Sequence, residues 1–420
     1  MKNEIEQRIL HLYEKNDMKV GVIGGGAAGF FAAICVKTNY PDAEVILLEQ
    51  SKKWLSKVKV SGGGRCNVTN DTTSISELSK AYPRGGKQLK KLFPHFNTVH
   101  IREWFSVRGV SLYAQTDKRV FPTTDDSQTI IDCFLKEANT LGVQMKSQAS
   151  VKKIAPSASG IQLYFDEVNA VTFDKVIVAT GGSPKLSGLN WLSALGHQIE
   201  TPVPSLFTFN MPQEKVKTLM GVAVNNATTR IQGEKLSANG PLLITHWGMS
   251  GPAILVLSSF GARMLAKKQY QFNLQVNWTN EQNQELVRAV INKTIENNGQ
   301  KQIQNVRIYD LPSRLWIFLL EKASLTLTQK WDEIGKKGTH KLVEILTNDV
   351  YEVKGKTTFK EEFVTCGGVS FKSVNSKTLE SKHVPNLFFA GEVLDIDAIT
   401  GGYNFQAAWT TAFIAAKLGQ

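Results

Sequence analysis

Residues 19 to 49 admit few folds. An apolar run, KVGVIG, ends on Gly24-x-Gly26-x-x-Gly29, the run FFAAICVKTNY follows, and a second apolar run, AEVILLE, closes on Glu49. Strand, glycine turn, helix and strand in that order make a βαβ unit, the start of a doubly wound sheet. Gly24 permits the tight turn, Gly26 lets backbone amides approach a pyrophosphate, and Gly29 allows close helix packing, while the helix N-terminus favours an anion. A carboxylate about twenty residues beyond the third glycine accepts both ribose hydroxyls and repels a 2′-phosphate, so NADP is disfavoured here. FAD and NAD both remain open at this point.

Two further apolar strands, VIVAT (176–180) running into Gly181-Gly182 and NLFFAGE (386–392), lie far apart in the chain. Their likeness predicts a discontinuous nucleotide-binding domain, 1–192 with 364–420. The stretch between has another texture. Segments LFTFNM, GVAVNNATTRIQG, PLLITHWG and YQFNLQVNW predict short antiparallel strands or a barrel, and ELVRAVINKTIE with the run from Ser313 to Ala323 turns the pattern helical. The expected fold class is α/β: a discontinuous Rossmann-type domain, an inserted β-barrel-like domain (193–278 and 348–363) and a helical subdomain (279–347).

A chain of 420 residues, 42% hydrophobic and 20% charged, is long enough for two or three domains. No run approaches the ~18 apolar residues of a membrane span, and the first 17 residues lack an apolar signal core. A cytoplasmic location is expected. The leader reads as a short amphipathic helix, or as nothing if translation begins at Met18. Cys35, Cys66, Cys133 and Cys366 form no CxxC pair and no zinc spacing, so disulfides, a structural metal and dithiol redox chemistry are not expected.

Two other glycine segments favour FAD. Ser61-Gly62-Gly63-Gly64-Arg65-Cys66-Asn67 offers successive amides as an anion nest, with Arg65 and Asn67 able to bond phosphate or flavin edge atoms. Ala390-Gly391-Glu392 and then Gly402-Tyr403-Asn404-Phe405-Gln406 open a last helix whose N-terminus suits the N1/O2 side of a flavin that turns anionic on reduction. An NAD-only dehydrogenase needs no second such site. No second GxGxxG follows residue 150, so NAD(P)H is expected as a transient electron donor without a domain of its own.

Together these segments, with YPRGGK (82–87), KRVFP (118–122), LLITHWGMSGPAIL (242–255), TCGGV (365–369) and AGEVLDIDAITGGYNFQAAW (390–409), resemble a family of bacterial FAD-dependent oxidoreductases. It includes aminoacetone oxidases, bile-acid dehydro-reductases and ribosomal RNA dihydrouridine synthases. The resemblance implies that Ser61 to Asn67, Glu392 and Gly402 to Gln406 line the flavin, with Lys57 at the family's lysine before the glycine loop. Gly24, Gly26, Ala28, Gly29, Glu49 and Gln50 complete the expected cofactor shell, with Val151, Thr180, Gly181 and Gly391. Lys59 departs from the pattern, since an apolar residue is usual there.

Two of those activities reduce a C=C bond conjugated to a carbonyl, which needs hydride from flavin N5 and one proton donor. Cys66, Cys366 and His246 are the candidates, each weighed against a plain structural role. Charge bears on the substrate. The net charge is +12, and nine bases against two acids lie between Lys80 and Arg119. Arg84, Lys87, Lys90, Lys91 and Arg119, interleaved with aromatics, fit an RNA whose uridine is flipped out; a solvated basic face is the alternative. Reduction of uridine in ribosomal RNA is therefore expected first, then small-molecule reduction or amine oxidation, then a flavoprotein with a mainly binding role.

Overall fold

The structure, a computed structural model, describes residues 18–358 and 364–420. The expected leader helix lies outside the described residues, as does the stretch 359–363 at the end of the predicted β insertion. The chain divides into two compact units, Met1–Pro202 with Val364–Gln420, and Val203–Phe363.

In the first unit five parallel strands run in the order Leu387–Phe389, Lys175–Val178, Lys19–Ile23, Glu44–Leu48, Gln144–Lys146. Val45, Leu47, Ile177 and Phe388 join one hydrophobic cluster, and Ile46, Leu48, Val176, Val178, Leu387 and Phe389 join another. Side chains of a strand alternate between faces, and here both faces are covered, which is why these strands read as unbroken apolar runs. Helix Ala27–Asn39, buried at every residue from Ala28 to Val36, covers the first face. Trp409, Ala412 and Ala415 of the last helix, Tyr403–Ala415, belong to the same cluster. The second face carries a three-stranded antiparallel sheet, Lys153–Ser157, Gly160–Tyr164 and Ala170–Phe173, through Ile154, Ile161, Leu163 and Phe173. Each such fully buried aliphatic or phenyl side chain contributes about 1.5–3 kcal/mol. The central strand Lys19–Ile23 has the next strand in sequence, Glu44–Leu48, on one side and the late strand Lys175–Val178 on the other. Its carboxyl end is a topological switch point, where ligands of such sheets bind.

The first unit extends to residue 202 rather than 192, because strand Ile199–Pro204 pairs with Thr365–Val369.

The second unit is built on a seven-stranded antiparallel sheet in the order Asp349–Lys354, Gln271–Asn277, Ala223–Ile231, Ser237–Ile244, Gly248–Ser250, Thr208–Asn210, Lys356–Thr357. The stretch expected to be all strand also holds a helix, Pro252–Lys267. Its start signal was there to see: Pro252 stands at the first helical position, where its missing N–H costs nothing. Helices Gln284–Asn298, Ser313–Lys322 and Gly335–Thr347 fill the region expected to be helical. They share one hydrophobic cluster with the sheet, centred on Trp278, Trp316, Trp331 and Tyr351, rather than a core of their own. Among the described residues no helix is long and apolar enough to cross a membrane.

Candidate active site at the glycine segments

The switch point is shaped by backbone that leaves no room for side chains. Gly24 has φ +114°, and a Cβ there would lie 2.4 Å from the Ala179 carbonyl oxygen. At Gly29 a Cβ would lie 1.8 Å from the Gly24 carbonyl oxygen, so the helix is pressed onto its own entry turn. The result is a helix N-terminus with open space at Gly26, no side-chain cap and no acid in its first turn. Its free amides and dipole suit a phosphate. Glu49 closes the loop: one carboxylate oxygen accepts from the Gly25 N–H at 2.8 Å and the other from the Ser51 N–H at 2.7 Å. Trp54 covers Gly25 so closely that a Cβ would come within 2.4 Å of its ring, a wall the sequence reading missed. Gln50 is exposed, and Val151 is half-buried just beyond Ala149, whose N–H donates to the Glu49 carbonyl.

The second segment leaves helix Ser56–Gly64 at Ser61, a flanking helix that the glycine run had concealed. Gly62, Gly63 and Gly64 then take φ of +60°, +70° and +85°, with open space around Gly63 and Gly64. Arg65 folds back: its Nε donates to the Gly62 carbonyl at 3.3 Å and its guanidinium lies 4.2 Å over the Phe121 ring. Lys59 points outward, to Gln128 at 3.2 Å and Asp126 at 3.6 Å. The family's apolar position is therefore a surface one here.

The third segment locks onto the other two. Gly391 (φ +76°) would place a Cβ 2.8 Å from the Ala28 Cβ of the first segment. Gly402 (φ +85°) would place one 2.2 Å from the Thr69 carbonyl oxygen and 2.8 Å from Asn67 Oδ1 of the second. Gln406, expected beside the flavin, is fully buried and acts as a clamp, accepting from Thr69 Oγ1 at 2.6 Å and donating to Thr410 Oγ1 at 3.0 Å. Trp409 Nε1 donates to the Val68 carbonyl at 2.9 Å, and Asn404 holds both backbone groups of Ala398. Tyr403 packs edge-on against Tyr82 and Phe405 stacks on Trp409. The last helix thus presents an uncapped N-terminus, again without an acid in its first turn.

Glu392 ties in a fourth strand end. It pairs with Lys57 at 2.8 Å and accepts from the Thr365 N–H at 2.8 Å. Gly182, just past Thr180 and Gly181, abuts the same Thr365 and Glu392 side chains. Asn67 Oδ1 and Thr365 Oγ1 are buried with no hydrogen-bond partner among the described residues. A buried polar atom left so costs about 1–3 kcal/mol. Two uncapped helix ends, a left-handed glycine run and two unpaired polar atoms fit a cofactor with a pyrophosphate and a polar ring edge, which FAD has.

The catalytic candidates fare differently. Cys66 is fully buried in the first hydrophobic cluster, and burial pushes its thiol up to about 12, with a Ser61 hydrogen bond opposing. Cys366 is likewise fully buried, in a strand with every residue inside. His246, the third candidate, is exposed in the second unit at the turn between Ser237–Ile244 and Gly248–Ser250. Among the expected RNA contacts, Lys87, Lys90 and Lys91 are exposed. Arg119 is held by Asp117 at 2.7 Å. Arg84 is turned inward instead, only 10% exposed and paired through two nitrogens with the fully buried Asp397. A guanidinium so occupied is not a surface phosphate contact.

Fold and site together define a FAD-dependent oxidoreductase with a Rossmann-type cofactor domain. Residues 18–418 match the model of the HI0933-like protein Rossmann domain, and the chain belongs to that family. It is 28% identical over 411 residues to the ribosomal RNA dihydrouridine synthase of Escherichia coli, covering 94% of this chain and 96% of that one. It is 26% identical over 410 residues to the 3-dehydro-bile acid delta(4,6)-reductase of Clostridium scindens, covering 95% and 98%. Among solved structures it resembles the 3-ketosteroid delta1-dehydrogenase of Sterolibacterium denitrificans, with a TM-score of 0.50 and 12% identity over 96% of this chain and 99% of that one, a likeness of fold alone.

Proposed function

We propose that the enzyme reduces a carbonyl-conjugated C=C bond, and that its substrate is uridine in ribosomal RNA. The observation that carries this reading is the convergence of the three glycine segments on one site, beside helix Gly86–Leu92, whose exposed residues are Lys87, Lys90 and Lys91 and which bears no acid. Both curated relatives above are named for this kind of chemistry. A flavin held between the helix N-termini at Gly26 and Gly402 would supply the hydride for the carbon beta to the carbonyl.

The chain supplies the rest. The helix N-termini at Gly26 and Gly402 hold negative charge, Asn67 and Thr365 offer polar atoms to the ring edge, and Lys57 holds Glu392 in place. With both thiols inside the core, the proton for the alpha carbon falls to water or to a side chain open to solvent. NAD(P)H serves as donor by a transient visit, since no second dinucleotide fingerprint is present in the sequence. An RNA substrate is met in the cytoplasm.

Nucleoside analysis of ribosomal RNA from a deletion strain tests the reading. Dihydrouridine should disappear and return with the intact gene; unchanged dihydrouridine removes the RNA reading. A second reading, reduction of a small steroid-like enone, is favoured by the full-length match to the bile-acid reductase. Steady NAD(P)H oxidation with an unsaturated 3-ketosteroid, and none with RNA, would select it.

A further inference from the structure

Helix Gly86–Leu92 forms one side of a cleft of about 800 Å³ whose other side comes from near the end of the chain. Lys87, Gln88 and Lys91 line it from the helix, and Phe371, Lys372 and Lys382 from segment 370–383. Four lysines therefore face one space, and none of them has a carboxylate partner among the described residues. Lys382 is oriented by donating to the Lys372 carbonyl at 3.0 Å. Asp395 is the single acid of the lining. Small-molecule pockets are mostly apolar. A space walled by lysines, with one partly buried aromatic ring and the amides of Gln88 and Asn375, matches the needs of a nucleic-acid strand: charge for phosphates and a ring for a base.

The cleft is also tied to the segment that precedes the last helix. A Cβ at Gly85 would touch Ile396 at 2.6 Å, Arg84 clamps Asp397, and Asn404 clamps Ala398. Asp395 of its lining thus begins the segment that leads into Gly402 and the last helix. We propose that this cleft is the phosphate-binding groove for the RNA substrate, with Lys372 and Lys382 as contacts on the wall opposite Lys87 and Lys91. The inference rests on the RNA reading above and names where that RNA is gripped.

The test uses the full-length holoenzyme and protein-free ribosomal RNA, with Kd measured across a potassium chloride series. Two paired variants, Lys87→Gln with Lys91→Gln and Lys372→Gln with Lys382→Gln, are compared with a control pair at exposed lysines outside the cleft, Lys136→Gln with Lys152→Gln. Each lysine lost from a phosphate contact should lower the salt slope by roughly 0.7–0.9, and each cleft pair should weaken binding by roughly tenfold or more at low salt. Phe371→Ala should weaken binding roughly fivefold or more with the slope unchanged, since stacking releases no counterions. Flavin content per polypeptide should stay at the wild-type level in all of them. If wild-type enzyme binds RNA and restores dihydrouridine while both cleft pairs behave like the control, the groove is wrong and the RNA reading stands. If wild-type enzyme neither binds RNA nor restores dihydrouridine, the RNA reading falls and the groove with it.

Discussion

The glycine site of the first unit and the Asp349 cluster of the second are held in shape by different means. In the first, backbone meets backbone: positions Gly29, Gly402 and Gly24 would drive a Cβ to 1.8, 2.2 and 2.4 Å from carbonyl oxygens. In the second, side chains meet around Asp349, fully buried, which accepts from Trp278 Nε1 at 2.9 Å and from the Tyr351 hydroxyl and the Lys322 ammonium. The difference teaches where sequence motifs come from. Close backbone approach tolerates one residue type at one place, so it leaves a fixed string of letters. A side-chain network can be built from many residue sets, so it leaves none.

The sharpest way to break the comparison is to add one methyl group at Gly402. Gly402→Ala forces a Cβ against Thr69 and Asn67 at a left-handed φ. The strain, about 1–3 kcal/mol, falls where the second and third segments lock together. Flavin absorbance relative to protein should drop about tenfold or more. Gly63→Ala, also left-handed but in open space, should lose far less. Equal losses in the two variants would mean that close approach is not what the glycines are for.

Removing the Asp349 carboxylate tests the other half. Asp349→Ala leaves an ammonium, an indole N–H and a phenol without their acceptor, a loss of about 3–5 kcal/mol. Urea unfolding followed by the fluorescence of Trp278, Trp316 and Trp331 should move to lower denaturant, while flavin content per folded molecule stays within about twofold, a factor worth well under 1 kcal/mol. Flavin loss in step with stability would show that the two means of support are not separate.

All four cysteines lie in the first unit and all are buried. Burial raises the thiols of Cys35 and Cys66 to about 12 and that of Cys133 to about 11. An unfolded thiol ionises near about 8.5. Below that value both states keep their protons and the stability is complete; above it the unfolded chain ionises first, so stability falls as pH rises toward about 12. Denaturation at stepped pH from about 8 to 11 should show this decline, flattened in Cys66→Ala. A thiol reagent at pH about 8 should label the native protein slowly and all four cysteines after unfolding, since the thiolate is the reactive form. Fast native labelling of Cys66 would reopen its candidacy as a proton donor.

The same contrast explains what the sequence disclosed. Strand, turn, helix, strand from Lys19 to Leu48 was legible because both faces of the sheet are buried and the glycines are obligatory. The antiparallel strands of the second unit were legible as texture, but helix Pro252–Lys267 lies unannounced between two of the strand-like segments, with Pro252 as its one start signal. Within the site, Trp54 and Thr365 carried no motif of their own; in TCGGV nothing local sets Thr365 apart from the cysteine beside it. Arg84 looked like the lysines around it, and nothing local distinguishes an arginine that faces a buried aspartate some three hundred residues away.

Lys59 gives the smallest effect and the finest test. It departs from the family pattern immediately before the second glycine segment, so a sequence argument alone would expect the loop to differ there. The structure puts its side chain on the surface, against Gln128 and Asp126 at 3.2 and 3.6 Å, while its carbonyl accepts from the Ser127 hydroxyl at 2.8 Å. Backbone holds the loop and the ammonium does not. Lys59→Leu should therefore change stability by no more than about 0.5 kcal/mol and leave the flavin spectrum as it is. A shifted spectrum would mean that the charge reaches the cofactor after all, and that this part of the first unit is tuned by a side chain rather than by glycine alone.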